Sequence, residues 1–313
     1  SAKQGSARET SRWVCSIGAT SPSSSTRFAE LVLTLRADEV AVGWMCGGRT
    51  GAHLAETVSS LLHGTLSAHL ALGADSARAE SLAKLFGQTF PDLQRLKDMA
   101  ATAQAFLMGV APHPEGHVLK AYLNPRVSSG APEARLRAMA ESVGVDGDAF
   151  DALTALAYPD RGQSTHLYGL GVDLAPDGPA RVKLYVRADA QQAPRFLDGL
   201  RPQVRAPLDE LLSRFDHPSL SPSLELAFAL KNGERTVKLT RFWAGKQITR
   251  EEQDALARWI DELCGKREAL DRGLASLRAP SPAAIQKSAL HAIGLEVGER
   301  AEPKVNVYLQ PEL

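Results

Sequence analysis

Cysteine is scarce. Cys15, Cys46 and Cys264 are the only three in 313 residues. They are far apart and odd in number, so they form neither a disulfide framework nor a zinc-ligand pattern. Such usage suits a reducing compartment, and a cytoplasmic protein is expected. No apolar run approaches the roughly 20 residues that a membrane-spanning helix needs, so no membrane association is expected. Net charge is also missing: 36 Lys and Arg balance 36 Asp and Glu. No global field is left to gather nucleic acid, and any basic site must be local and made by the fold. Aromatic residues are few, with only five Tyr, which makes the placement of each Tyr informative.

Familiar catalytic signatures are absent too. No nucleophilic triad is legible. His113-Pro114-Glu115-Gly116-His117 is not a metalloprotease helix, because Pro and Gly place it in a turn. Gly47-Gly48-Arg49-Thr50-Gly51 lacks the Gly-Lys-Ser/Thr ending of a phosphate loop and reads as a loop and helix cap. Asp148 and Asp151 form half of an acidic metal-diphosphate pattern. Their setting, Val145-Asp146-Gly147-Asp148, reads better as a helix start favoured by the helix dipole. No metal site is expected.

What is present is a normal globular composition, 44% hydrophobic and 23% charged, enough to build a substantial core. Residues 1–26 are polar and Ser-rich towards their end, with no signal-peptide core. They read as a flexible leader before a single domain spanning 27–313. The C-terminal Gln310-Pro311-Glu312-Leu313 carries no lipidation signal.

The strongest feature is repetition. Five segments read as paired strands around a short turn: Phe28–Arg36 with Glu39–Cys46, Gln104–Ala111 with His117–Asn124, His166–Leu174 with Ala180–Arg187, Leu224–Leu230 with Glu234–Phe242, and Leu290–Val297 with Lys304–Gln310. The turns hold the Gly, Pro, Asn or Asp that hairpin loops require. Between hairpins, apolar residues at three-and-four spacing predict helices over Ala52–Leu72, Pro91–Ala103, Pro132–Val143, Gln191–Arg214 and Arg250–Leu277.

The second strands share a pattern: Lys120-Ala121-Tyr122, Arg181-Val182-Lys183-Leu184-Tyr185, Lys238-Leu239-Thr240 and Lys304-Val305-Asn306-Val307-Tyr308. Side chains alternate along a strand, so the basic and Tyr positions share one face and the aliphatic residues the other. The aliphatic faces must be covered, and the helices can cover them. The fold class expected is α+β: a closed ten-stranded antiparallel barrel of five hairpin-helix repeats. Its lumen would be solvent-filled, with the polar faces turned inward. A TIM barrel is excluded, because its strands are parallel and alternate singly with helices. Lys and Arg in a strand can equally face solvent, as on many antiparallel sheets. Their common phase with Tyr two residues on favours a shared site.

At Lys120-Ala121-Tyr122-Leu123-Asn124-Pro125, Arg181-Val182-Lys183-Leu184-Tyr185-Val186 and Val305-Asn306-Val307-Tyr308-Leu309-Gln310-Pro311, the chain resembles the ABBA-type aromatic prenyltransferases. It is most similar to their dimethylallyltryptophan synthase (indole prenyltransferase) branch. The resemblance runs from about Phe28 to the C-terminus. It implies a metal-independent transfer of a dimethylallyl or longer prenyl group from an allylic diphosphate co-substrate to an indole or tryptophan-type acceptor. It implies no required cofactor and no nucleic-acid or membrane partner. Lys120, Arg181, Lys183, Lys238, Lys304 and Asn306 would hold the diphosphate. Tyr122, Tyr185 and Tyr308 would shield the allylic cation. Glu30, where the family has an acceptor-binding Glu, would accept the indole N–H, although a Glu between Ala29 and Leu31 can also be an exposed strand residue. Two positions depart from the family. Glu39–Trp44 has no Arg, and Thr240 stands where Tyr is usual. A phenolic or peptide acceptor, or a non-catalytic barrel that binds an anionic lipid, are the alternatives.

Overall fold

The computed structural model describes residues 27–37, 40–49, 77, 80–81, 84–85, 104–113, 115–124, 132–157, 167–176, 178, 180–214, 220–231, 234–243, 249–276, 290–299 and 302–309. The leader and the helices expected over Ala52–Leu72 and Pro91–Ala103 lie outside these residues.

Ten strands form the sheet: β1 (Arg27–Leu35), β2 (Val40–Arg49), β3 (Gln104–His113), β4 (Gly116–Leu123), β5 (Leu167–Leu174), β6 (Arg181–Asp189), β7 (Leu220–Lys231), β8 (Glu234–Trp243), β9 (Leu290–Gly298) and β10 (Lys304–Leu309). Each pairs antiparallel with its sequence neighbours. β1 also pairs with β10 through Leu31↔Leu309 to Leu35↔Val305, so the strand order closes on itself. β2 runs through Gly47 to Arg49 rather than ending in a loop and cap. The reason is the ladder: Gly47 pairs with Leu107 and Gly48 with Phe106 on β3, and those cross-strand bonds outweigh the weak strand preference of Gly.

The described helices are α1 (Pro132–Ser142), α2 (Gly147–Ala157), α3 (Ala193–Leu197), α4 (Pro202–Arg214), α5 (Arg250–Cys264) and α6 (Arg267–Ser276). Two expected helices are each divided. Gly199 turns left-handed (φ 83°) before α4, and Pro202 starts that helix, where its missing N–H costs nothing. Gly265 (φ 65°) caps α5, and its N–H donates to the Asp261 carbonyl at 2.8 Å, so the helix cannot run on into α6.

Strand alternation sorts the barrel into two faces. On the outer face Val182, Leu184, Val186, Leu226, Leu239, Ile293, Leu295, Val305 and Val307 are all buried. Helix α2 packs against β6 and β7, α4 against β9, and α6 against β1. This is the hydrophobic core, and it lies between barrel and helices rather than inside the barrel. The inner face is left to the polar set. All the hairpin turns fall at one end of the barrel, because every first strand runs towards that end and every second strand starts from it.

Helix α5 starts with a reciprocal cap. The Thr249 hydroxyl accepts from the Glu252 N–H at 3.2 Å, and the Glu252 carboxylate accepts from the Thr249 N–H at 2.6 Å. Thr249→Ala should therefore cost about 0.5–2 kcal/mol of stability, measured by urea denaturation, with the denaturant slope unchanged.

Candidate active site

The site grows from cross-strand register. Asp173 on β5 lies opposite both Lys120 on β4 and Arg181 on β6. Glu296 on β9 lies opposite both Lys304 on β10 and Lys238 on β8. These carboxylates bind the cations directly. Lys183 Nζ lies 2.6 Å from Asp173 Oδ2. Arg181 donates to Glu296 Oε1 at 2.7 Å and to Thr236 Oγ1 at 2.6 Å, and approaches Asp173 at 4.0 Å. Lys304 Nζ lies 2.7 Å from Glu296 Oε2. Asn306 completes the layer, its Oδ1 accepting from the Thr34 hydroxyl at 3.0 Å. Lys120 is half-buried and, among the described residues, has no carboxylate within ion-pair distance.

A layer of rings lies further from the turns. Tyr122 and Tyr185 meet edge to face with centroids 5.4 Å apart. Lys183 Nζ stands 5.9 Å from the centre of Tyr122, and Lys238 Nζ 4.7 Å from that of Tyr308. Lys238 also donates to the Tyr308 hydroxyl. The first strands make room for these long side chains. A Cβ on Gly171 would come within 2.7 Å of the Tyr185 ring and 3.1 Å of Tyr122. One on Gly294 would come within 2.6 Å of Lys238 Cε.

Burial sets the electrostatics. Burial pushes the Asp173 carboxyl up, but Lys183, Lys120 and Arg181 together outweigh it and hold it at about 2. Glu296 is likewise held well below its ordinary value against the effect of burial, by Lys304, Arg181 and Lys183. Burial dominates for the lysines: Lys183 is pulled down to about 7 although Asp173 opposes, and Lys304 to about 8 although Glu296 opposes. Arg181 shifts up, because Glu296 and Asp173 outweigh its desolvation. Burial raises the phenols of Tyr122 and Tyr185 well above the usual value, so both rings stay neutral. Lys120, Arg181, Lys183, Lys238 and Lys304 face two carboxylates in this layer, so with all ionised it keeps a surplus of three positive charges. Arg181 Nε, a buried donor, has no partner among the described residues. The arrangement can hold a multivalent anion at one end with aromatic rings beside it.

The structure therefore brings together Lys120, Arg181, Lys183, Lys238, Lys304, Asn306, Tyr122, Tyr185 and Tyr308. Glu30 lies on β1 opposite Met45, and its side chain is outside the described set. Asp173 and Glu296 escaped the reading of the sequence, which followed the second strands. Their signal was their position two residues before each turn, in phase with the cations across it. Asp148 and Asp151 lie on α2, outside the barrel. Asp151 pairs with Arg137, and Asp146 accepts from the Ala149 N–H at 2.7 Å as a helix start does. Among the described residues no three His, Cys, Asp or Glu side chains gather to ligate a metal ion.

No protein-family model matches the chain, and no curated protein matches it. Solved structures do. PriB in complex with product diphosphate superposes with a TM-score of 0.67 at 19% identity, over 91% of this chain and 80% of PriB. The 5-dimethylallyltryptophan synthase of Streptomyces coelicolor gives 0.68 at 18%, over 91% and 81%. AnaPT of Neosartorya fischeri gives 0.70 at 15%, over 91% and 78%. This chain has the fold of the ABBA-type aromatic prenyltransferases. Within that ABBA fold, its charged and aromatic layers are built from its own residues as described above.

The lysine shifts have a consequence for the ligand-free protein. From pH 7 to about 10.5 the unfolded chain binds more protons at Lys183 and Lys304 than the folded one does, so these groups make stability rise with pH. In the acid range Asp173 acts with the same sign: its contribution is present above pH 3.8 and is lost as pH falls through about 2. Lys183→Met should flatten the alkaline rise, measured as denaturation midpoints from pH 7 to 10 for variant and wild type.

Proposed function

We propose that this protein is a metal-independent aromatic prenyltransferase acting on an indole or tryptophan-type acceptor. In this reading a ten-stranded barrel with a solvent-filled lumen, formed by a single domain over 27–313, admits both substrates. One observation carries the proposal: a buried cluster of basic side chains with surplus positive charge, adjoining a layer of neutral Tyr rings. PriB has been solved with L-tryptophan and dimethylallyl thiolodiphosphate, and the S. coelicolor synthase with the thio-analogue of dimethylallyl diphosphate and tryptophan. Those complexes support the choice of substrates.

The chemistry follows from the two layers. A prenyl diphosphate carries roughly three negative charges near neutral pH, matching the surplus. Each cation at about 4 Å is worth roughly 4 kcal/mol at an effective dielectric near 20. The allylic C–O bond breaks, and its electron pair leaves with diphosphate, stabilised by Lys120, Arg181, Lys183, Lys238 and Lys304 with Asn306. Tyr122, Tyr185 and Tyr308 present π faces to the allylic cation, each worth about 0.5–2 kcal/mol, and exclude water from it. The aromatic ring then forms the C–C bond, and the proton on that carbon passes to water. Glu30 is proposed to accept the ring N–H of the acceptor. A cavity of about 300 Å³ at the turn end, lined by Arg36, Thr236, Glu296 and Lys304 among others, offers the diphosphate a way into the charged layer.

The deciding experiment incubates the protein with indoles, phenols and peptides, each with C5, C10 and C15 diphosphates, and reads product masses. Prenylated indole, formed equally in excess EDTA, is the expected result. Product that vanishes with EDTA and returns with Mg²⁺ would overturn metal independence. Binding of prenyl diphosphate with no product from any aromatic would favour the carrier.

Lys183→Ala should weaken dimethylallyl thiodiphosphate binding by about 1.5–3 kcal/mol, the scale of a charge-assisted hydrogen bond. The measurement is the ligand-induced rise in Tm of variant and wild type; equal rises would remove Lys183 from the diphosphate site.

A further inference from the structure

The charged layer contains two anions of its own, and one of them reaches over two strands. Glu296 accepts from Arg181 on one carboxylate oxygen at 2.7 Å and holds Lys304 on the other at 2.7 Å. Arg181 stands on β6 and Glu296 on β9, with β7 and β8 between them in the barrel order. Their contact therefore passes inside the barrel rather than along a ladder. Arg181 is steadied on the way by the Thr236 hydroxyl on β8 at 2.6 Å. The β7 residue opposite Thr236 is only Ala229, short enough for a guanidinium to pass. Glu296 has Lys238 as a ladder neighbour, yet Lys238 donates to Tyr308 instead. Asp173 holds Lys183 at 2.6 Å. Of Lys120, Arg181, Lys183, Lys238 and Lys304, three are thus held by carboxylate oxygens, at distances a phosphate oxygen would also adopt.

The cations are only partly engaged. Arg181 Nε is buried and has no hydrogen-bond partner among the described residues, and the same is true of the acceptor Asp173 Oδ1. Each ammonium has three N–H donors, and Lys183 and Lys304 each pair with a single carboxylate among the described residues. An arriving anion therefore finds donors to use, but it finds them beside two like charges. Repulsion between like charges is strong where solvent screens poorly. Thr236, Glu296 and Lys304 also line the cavity at the turn end, so the bridge borders space that a small anion can enter.

We propose that Glu296 and Asp173 are resident counter-anions: they hold Arg181, Lys304 and Lys183 before diphosphate binds, compete with it for them, and take them back when inorganic diphosphate leaves. This rests on the prenyltransferase reading and deepens it. Both are positioning residues, because they act through the cations and touch no reacting atom of the proposed chemistry. The direction of their effect is specific. They stabilise the free site and weaken the filled one, so the product anion is not trapped among five cations. The effect grows with the charge of the ligand, because the repulsion is proportional to that charge.

The test is binding calorimetry at about pH 6, below the values at which Lys183 and Lys304 lose their protons. Inorganic diphosphate, dimethylallyl thiodiphosphate and dimethylallyl monophosphate are titrated into wild type, Glu296→Gln, Glu296→Asp and Asp173→Asn, and each free protein is melted. Glu296→Gln should bind inorganic diphosphate and the thiodiphosphate about 10-fold tighter or more, and should gain less for the monophosphate. Its free form should melt lower than wild type, because Arg181 and Lys304 lose their counter-charge. Asp173→Asn should behave in the same way through Lys183, and it decides the matter should Glu296→Gln not fold. Glu296→Asp keeps the charge and should stay near wild type. Unchanged or weaker diphosphate binding in a folded neutral variant overturns the role of that carboxylate. Equal tightening for monophosphate and diphosphate overturns it too, since charge would not be the cause. If wild type prenylates an aromatic while either result is obtained, only this inference fails. If wild type neither binds the diphosphates nor forms product, the prenyltransferase reading fails and this inference with it.

Discussion

The interior of this barrel depends on an exchange of charge across six strands. Lys183 is buried and the Arg181 and Lys304 side chains are 15% exposed, and an unpaired buried cation is costly enough to lose its proton or unfold its surroundings. Asp173 and Glu296 oppose that. Each sits where the ladder brings cations to it from both sides, so two carboxylates serve four neighbouring strands. The network also pins register. Sliding β5 by one residue would turn Asp173 into the apolar layer and leave Lys183 bare.

The balance is deliberately incomplete in chemical terms. The depressed lysines sit near their titration points at neutral pH, so on the proposed reading an arriving diphosphate would both neutralise surplus charge and draw protons onto them. Binding and protonation are thus one coupled event. The rings adjoining this layer stay uncharged, because the same burial that weakens the lysines strengthens the hold of the phenols on their protons. One physical cause, exclusion from water, separates a positively charged end from a middle of neutral rings.

Much of this was legible in the sequence, because alternation along a strand is a strict rule. Val182, Leu184, Val305 and Val307 had to face away from Lys183 and Asn306, and helices had to cover them. What escaped was of two kinds. Asp173 and Glu296 lie on strands whose inner faces otherwise read as Gly and Ala, a pattern with no hydrophobic period to mark it. Their role depends on pairing between strands 40 to 120 residues apart in some cases, such as Arg181 with Glu296. The breaks at Gly199 and Gly265 were visible as Gly residues, yet a helical period that continues on both sides hides them, since periodicity counts phase and ignores a left-handed hinge.

The inner face divides its labour unevenly between odd and even strands. Gly169, Gly171, Ala227, Ala229, Ala292 and Gly294 come from the first strands of hairpins, whereas the long side chains come from the second. At Gly171 and Gly294 the small partner has already reached the minimum that chemistry allows, and neither position has room for a single added carbon. Divergence in the size of what this barrel accommodates is therefore one-sided. Beside these two glycines, lineages can widen the chamber only by shortening residues on the even strands, where Tyr and Lys also carry the proposed chemistry, so there reach and reactivity are inherited together.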